Sequence, residues 1–91
     1  MTLPGFPEFE ARARADGFEQ VLVRDWAPGT VIGTHTHPFA ARALVVRGEM
    51  WLTCRGETRR LVAGDTFELE PSVPHEERYG PEGATYWVAR R

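Results

Sequence analysis

Long apolar runs are missing from this sequence. No stretch approaches the roughly 20 residues that cross a bilayer as a helix, and the opening Met1-Thr2-Leu3-Pro4 carries neither the basic start nor the apolar core of a secretory signal. A soluble, cytoplasmic protein without a membrane partner is expected. Cysteine is nearly absent as well. The single Cys54 cannot close an internal disulfide, which agrees with a reducing compartment, and its apolar neighbours predict a buried, inert thiol. There is no excess of positive charge, the net charge being -2 and the pI about 5.9. The arginines are scattered instead of gathered on one segment, so no nucleic-acid partner is expected. Linkers, low-complexity tracts and internal repeats are lacking too, which points to one domain.

What is present is globular in composition, with 42% hydrophobic and 26% charged residues among 91. A chain this short buries a modest share of its surface and is marginal alone. Trp26, Trp51 and Trp87 add more large apolar surface than the outside of a lone small domain carries. Both features predict a homodimer.

Glu8 to Ala15, rich in Ala, Arg and Glu, follows Pro7 and ends at Asp16-Gly17, which predicts a short helix inside an N-terminal segment 1–18. Residues 19–91 change rhythm to short runs rich in valine, leucine, threonine and aromatics. The expected strands are Glu19–Trp26, Val31–His35, Ala40–Arg47, Glu49–Arg55, Arg59–Val62, Thr66–Glu70, His75–Tyr79 and Thr85–Ala89. Turns are expected at Ala27-Pro28-Gly29, Gly48, Gly56-Glu57, Ala63-Gly64-Asp65, Pro71-Ser72-Val73-Pro74 and Gly80 to Gly83. Strands this short and evenly spaced predict an all-β sandwich or barrel. Phe67 and Leu69 alternate with Thr66, Glu68 and Glu70, as do Met50, Leu52 and Cys54 with Trp51, Thr53 and Arg55, so each run has one apolar face.

The three histidines fall in two tight contexts, Gly29-Thr-Val-Ile-Gly-Thr-His35-Thr-His37-Pro38 and Gly64-Asp65-Thr-Phe-Glu-Leu-Glu-Pro71-Ser-Val-Pro74-His75. On a strand, residues two apart share a face at about 6–7 Å between Cα atoms, so His35 and His37 can aim at one point. His75, at the start of another strand, is the available third ligand for a divalent ion bound at about 2.0–2.1 Å from each nitrogen.

From about Val21 to Trp87 the chain resembles the cupin superfamily. The first motif of that family, a glycine, five residues, His-x-His, a glutamate and a later glycine, is matched by Gly29, His35, His37 and Gly48. The second, a Gly-Asp pair leading through a proline turn to histidine, is matched by Gly64, Asp65, Pro71, Pro74 and His75. The resemblance implies an antiparallel double-stranded β-barrel, or jelly roll, holding a divalent metal such as Zn, Fe, Ni, Mn or Cu on His35, His37 and His75. Three departures stand out. Ala41, next to Arg42, replaces the family's glutamate ligand; Ser72 replaces a turn glycine; and Tyr79 replaces an asparagine.

Without that glutamate, three neutral imidazoles leave the ion its full double charge and an open position, which favours a small anionic ligand. Cysteine dioxygenase and acetylacetone dioxygenase are similar in using three histidines. Tyr79 either places a hydroxyl in the cavity or fills the barrel. Glu77 shares a strand face with His75 and is either a replacement carboxylate or, with Glu76 and Arg78, part of a solvated rim. Together with Arg42, these are the groups expected beside the ligand. Three readings follow: a metal-dependent dioxygenase, isomerase or lyase; a non-catalytic module that senses or binds a small molecule or metal; or a structural barrel with an empty or adventitiously occupied site.

Overall fold

The computed structural model describes residues 2–91. Helix α1 (Phe6–Ala15) precedes six strands, β1 (Gln20–Trp26), β2 (Val31–His35), β3 (Ala41–Cys54), β4 (Glu57–Val62), β5 (Thr66–Leu69) and β6 (His75–Arg90). The helix starts two residues before the expected Glu8 because Pro7 falls in its first turn, where an absent N–H leaves nothing unpaired.

All ladders are antiparallel, and two long strands organise them. The later part of β6 pairs with β1 on one side and with the early part of β3 on the other, and that part of β3 pairs with β5. The early part of β6 pairs with β2 and with the later part of β3, which pairs with β4. The result is two four-stranded halves joined through the middles of β3 and β6. No ladder among the described residues joins β1 to β5 or β2 to β4, so the sheet is folded on itself without a closed ring of hydrogen bonds.

The structure corrects two of the expected turns. Gly48 and Gly80 to Gly83 do not reverse the chain; they lie inside β3 and β6, where the register slips between Gly48↔Ala84 and Met50↔Tyr79. A bulge needs the same residue as a turn does, a glycine with positive φ, here +80° at Gly48 and +72° at Gly83. A methyl group on Gly48 would overlap the Gly83 carbonyl and the Ala84 Cα, so only glycine lets the two strands approach at this bend. By contrast, the Arg55-Gly56 pair does make a two-residue hairpin, with both residues at positive φ and Cys54 opposite Glu57.

The side chains between the halves form one core, including Ala41, Ala43, Val45, Met50, Leu52, Leu61, Phe67, Leu69, Tyr79, Tyr86 and Val88. The alternation read from the sequence at Met50 and Leu52, and at Phe67 and Leu69, is the one observed. A second cluster lies outside the sheet, where Ala13 and Phe9 of α1 meet Phe18, Val21 and Ala89. Phe6 and Phe9 also pack against Trp87, edge-on at 5.3 Å and tilted at 5.8 Å between ring centroids.

The other two tryptophans have partners as well. Trp26 stacks on Tyr79 at 5.1 Å, and the Arg78 guanidinium covers Trp51 at 4.3 Å. All three are half-buried within the chain itself. Cys54 is half-buried rather than fully buried, because it stands at the end of β3 where the core thins out. No helix of the described residues is long and apolar enough to cross a membrane.

Candidate metal centre

The end of β2 and the start of β6 lie side by side, and their register places His35 directly opposite His75. His37 follows in the loop toward β3. Its carbonyl accepts the Ser72 N–H at 2.8 Å, which ties this loop to the turn that delivers His75. Ser72 holds φ at +64°, the left-handed conformation that explains why glycine suits this turn.

The three imidazoles converge. Ring centroids are 4.3 Å apart for His35 and His75, 4.7 Å for His37 and His75, and 5.7 Å for His35 and His37. Their candidate ligand atoms all lie within 4.8 Å of one another. Three points so spaced share a centre no more than about 2.8 Å from each, so closure by about 0.7 Å per ring reaches the usual metal–nitrogen distance.

Hydrogen bonds fix which nitrogen faces that centre. His35 Nδ1 lies 2.8 Å from the Gly33 carbonyl and His75 Nδ1 lies 2.9 Å from the Val73 carbonyl. A carbonyl only accepts, so both Nδ1 atoms carry the proton and both Nε2 atoms present a lone pair. His75 Nε2 is buried and has no hydrogen-bond partner, an orphaned acceptor of the kind a cation satisfies. The His37 pKa is lowered by burial first and then by the neighbouring His75 and His35, which keeps its ring neutral and able to coordinate.

Glu77 joins this group. It is 7% exposed, and its Oε2 lies 3.7 Å from His35 Nε2 and 3.8 Å from His75 Nε2. Its Oε1 accepts the Tyr79 hydroxyl at 2.5 Å and the Tyr86 hydroxyl at 3.4 Å. The solvated-rim alternative therefore holds for Glu76 and Arg78, which are exposed, and fails for Glu77. Strand parity separates them, since His75, Glu77 and Tyr79 share the inward face. Burial first, then the neighbouring Tyr86 and Glu77, raise the Tyr79 pKa far above its ordinary value, and burial pushes Tyr86 up to about 12, so both phenols stay protonated donors.

The group opens into a cavity of about 180 Å³ whose wall includes Glu77, Tyr86, Phe39 and Ala41. That volume corresponds to about six water molecules. Tyr79 does not line it; its ring stacks on Trp26 behind Glu77. Arg42 is a correction. With Ala41 and Ala43 pointing inward, Arg42 points out, where it meets Asp16 at 2.6 Å and Glu68 at 3.3 Å over the Phe18 ring. Two arginines that the sequence reading passed over, Arg24 and Arg90, line the cavity instead. Their spacing by even numbers of residues from Leu22 and Trp26, and from Val88 and Tyr86, which puts them on the same inward face, is the available signal.

Comparison with known proteins agrees with this fold. The Cupin domain family model matches residues 22–88. No curated protein matches the chain. Among solved structures, an RmlC-like cupin from Shewanella frigidimarina is 25% identical with a TM-score of 0.70, over 78% of this chain and 63% of its own. The DMSP lyase DddQ from Ruegeria pomeroyi is 25% identical with a TM-score of 0.72, over 78% of this chain and 36% of its own. A protein with a double-stranded beta-helix domain from Klebsiella pneumoniae is 29% identical with a TM-score of 0.66, over 77% and 64%. The chain thus spans between about a third and two thirds of the length of these proteins.

Proposed function

We propose that this chain, which belongs to the cupin domain family, binds one divalent metal through His35, His37 and His75 with the Glu77 carboxylate beside them, and through it a small anionic molecule. The observation that carries the reading is the convergence of three ligand atoms within 4.8 Å around the orphaned His75 Nε2. The donor set suits Zn, Fe, Ni, Mn or Cu, since imidazole serves all of the later ions and a carboxylate suits the harder ones. When bound, such an ion supplies a Lewis acid with positions left for a ligand.

The chain's own residues do the rest. Gly33 and Val73 carbonyls hold two imidazoles in the tautomer that points Nε2 inward. Tyr79 and Tyr86 hold one oxygen of Glu77, so the other is aimed at the histidines. Tyr86 also lines the cavity, with its single O–H committed to Glu77. Among the transformations open to a cupin, dioxygenation, isomerisation and elimination, likeness to DMSP lyases at 25% and 26% identity supports a lyase. The second reading, a non-catalytic binding module, is supported by the absence of an unhindered base: the one carboxylate in the cavity is already engaged by two phenols.

The test is elemental analysis of protein purified without added metal, for the native chain and for His35→Ala, His37→Ala and His75→Ala. About one ion per native chain and a loss of at least tenfold in each folded variant are expected. A folded single variant with full occupancy overturns the reading.

A further inference from the structure

We propose that Arg90, flanked by Arg24, holds a second anionic group of the ligand, so that the cavity selects small molecules bearing two carboxylates or equivalent anions over those bearing one. This rests on the metal reading above but on different atoms. Among the described residues, the arginines that meet a carboxylate lie elsewhere: Arg14 on Glu10, Arg42 on Asp16, Arg55 on Glu70 and Arg60 on Glu49. Among the described residues, neither Arg24 nor Arg90 has a carboxylate within ion-pair reach, and both line the histidine cavity.

Arg90 is held in place without being neutralised. Its Nη2 donates to Gln20 Oε1 at 2.8 Å, and its guanidinium lies 4.6 Å above the Phe39 ring. Phe39 in turn stacks on His37 at 4.3 Å with the planes 2° from parallel. The charge therefore lies no more than about 9 Å from the His37 ring by these two stacking distances, a span that a short diacid bridges. Arg90 Nε is buried with no hydrogen-bond partner. An unmet guanidinium N–H in a cavity wall costs free energy until an acceptor arrives, and its planar fork matches a carboxylate. Because Gln20 and Phe39 already fix the side chain, little ordering remains to be done on binding.

Arg24 stands on the same face of the paired β1 and β6, with Leu22 and Val88 between it and Arg90. It rests over Trp26 at 5.1 Å. It adds positive potential from the opposite side of an apolar strip that suits the ligand's carbon chain.

The test uses malate, with two carboxylates, and lactate, with one, titrated calorimetrically into metal-loaded protein at physiological salt, with metal content measured on each sample. The native chain is expected to bind malate at least tenfold more tightly than lactate. Arg90→Gln should bring that ratio close to one while leaving metal content unchanged, and Arg24→Gln should lower it by a smaller factor. Arg12→Gln, which removes the same charge from the helix surface, should leave the ratio alone. A ratio that survives Arg90→Gln, or one that falls equally in Arg12→Gln, overturns the proposal. Loss of metal from the native protein would instead overturn the reading it rests on.

Discussion

Replacing Glu77 by glutamine separates a metal ligand from a structural carboxylate, because the two roles predict opposite signs in the two states of the protein. Without an ion, the buried Glu77 carboxylate faces imidazole lone pairs at 3.7 and 3.8 Å and receives hydrogen bonds from Tyr79 and Tyr86 only. Burying a charge with no cation beside it is unfavourable. The amide of Glu77→Gln keeps an oxygen for Tyr79, and its N–H can donate toward the imidazoles. Metal-free protein should therefore be as stable as the native chain or somewhat more so.

With the ion present the sign reverses. Loss of a carboxylate beside a metal costs roughly 10–100-fold in affinity, about 1.4–2.7 kcal/mol. At saturating metal the same loss appears as reduced stabilisation of the folded state. For a domain of this size each kcal/mol is worth about 4–8 °C, so the metal-bound Tm should fall by roughly 5–20 °C. Calorimetric metal titration and thermal melts with and without chelator measure both quantities. If the metal-free Tm falls as far as the metal-bound one, or if the affinity does not change, Glu77 is a core residue and the argument for its place at the ion is wrong.

Gly48→Ala should destabilise the fold by about 3 kcal/mol or more, since the added methyl overlaps backbone of β6 at a position with φ of +80°; a denaturant midpoint equivalent to less than about 1 kcal/mol would refute the close approach. Metal occupancy should decline as pH falls. Protons compete for the imidazoles, and because the His37 pKa is held below 6.5, the unfolded chain takes up its proton first. Stability from this group is thus full above 6.5 and is lost through the window beneath it. Melts and metal content from about pH 8 to about pH 5 should show that direction, and occupancy rising on acidification would contradict it.

The histidine constellation was legible because its spacing is local: His35 and His37 sit two apart, and the proline turn fixes where His75 begins. The apolar faces of β3 and β5 were legible for the same reason, since alternation requires no knowledge of the partner strand. Gly48 was recognised as an interruption, yet a bulge and a turn call for the same residue, and only the register with β6 distinguishes them. Adjacency to Ala41 suggests a place near the cavity for Arg42. Parity along the strand, with Ala41 inside, points the other way. For Glu77 parity was right and the environment was hidden: Tyr86, which helps make its burial tolerable, is nine residues away across the bulge.

Ala41 offers a way to move the carboxylate. It lines the cavity and is 6% exposed, at the position where cupins carry their glutamate, while Glu77 reaches the same cavity from β6. An ion is indifferent to which strand supplies an oxygen, provided that the oxygen arrives within its coordination distance. Ala41→Glu in the native background should add a second carboxylate, lower the charge of the site and weaken anion binding. In the Glu77→Gln background it should restore a single carboxylate and return metal affinity to within about tenfold of the native value, the size of one such contact. Glu77→Gln, Ala41→Glu and the double variant form a cycle whose coupling is read from metal titrations. Positions that substitute for each other give a strongly favourable coupling in the double variant. Simple additivity, with the double variant as weak as Glu77→Gln alone, would mean that positions 41 and 77 do not serve the same ion.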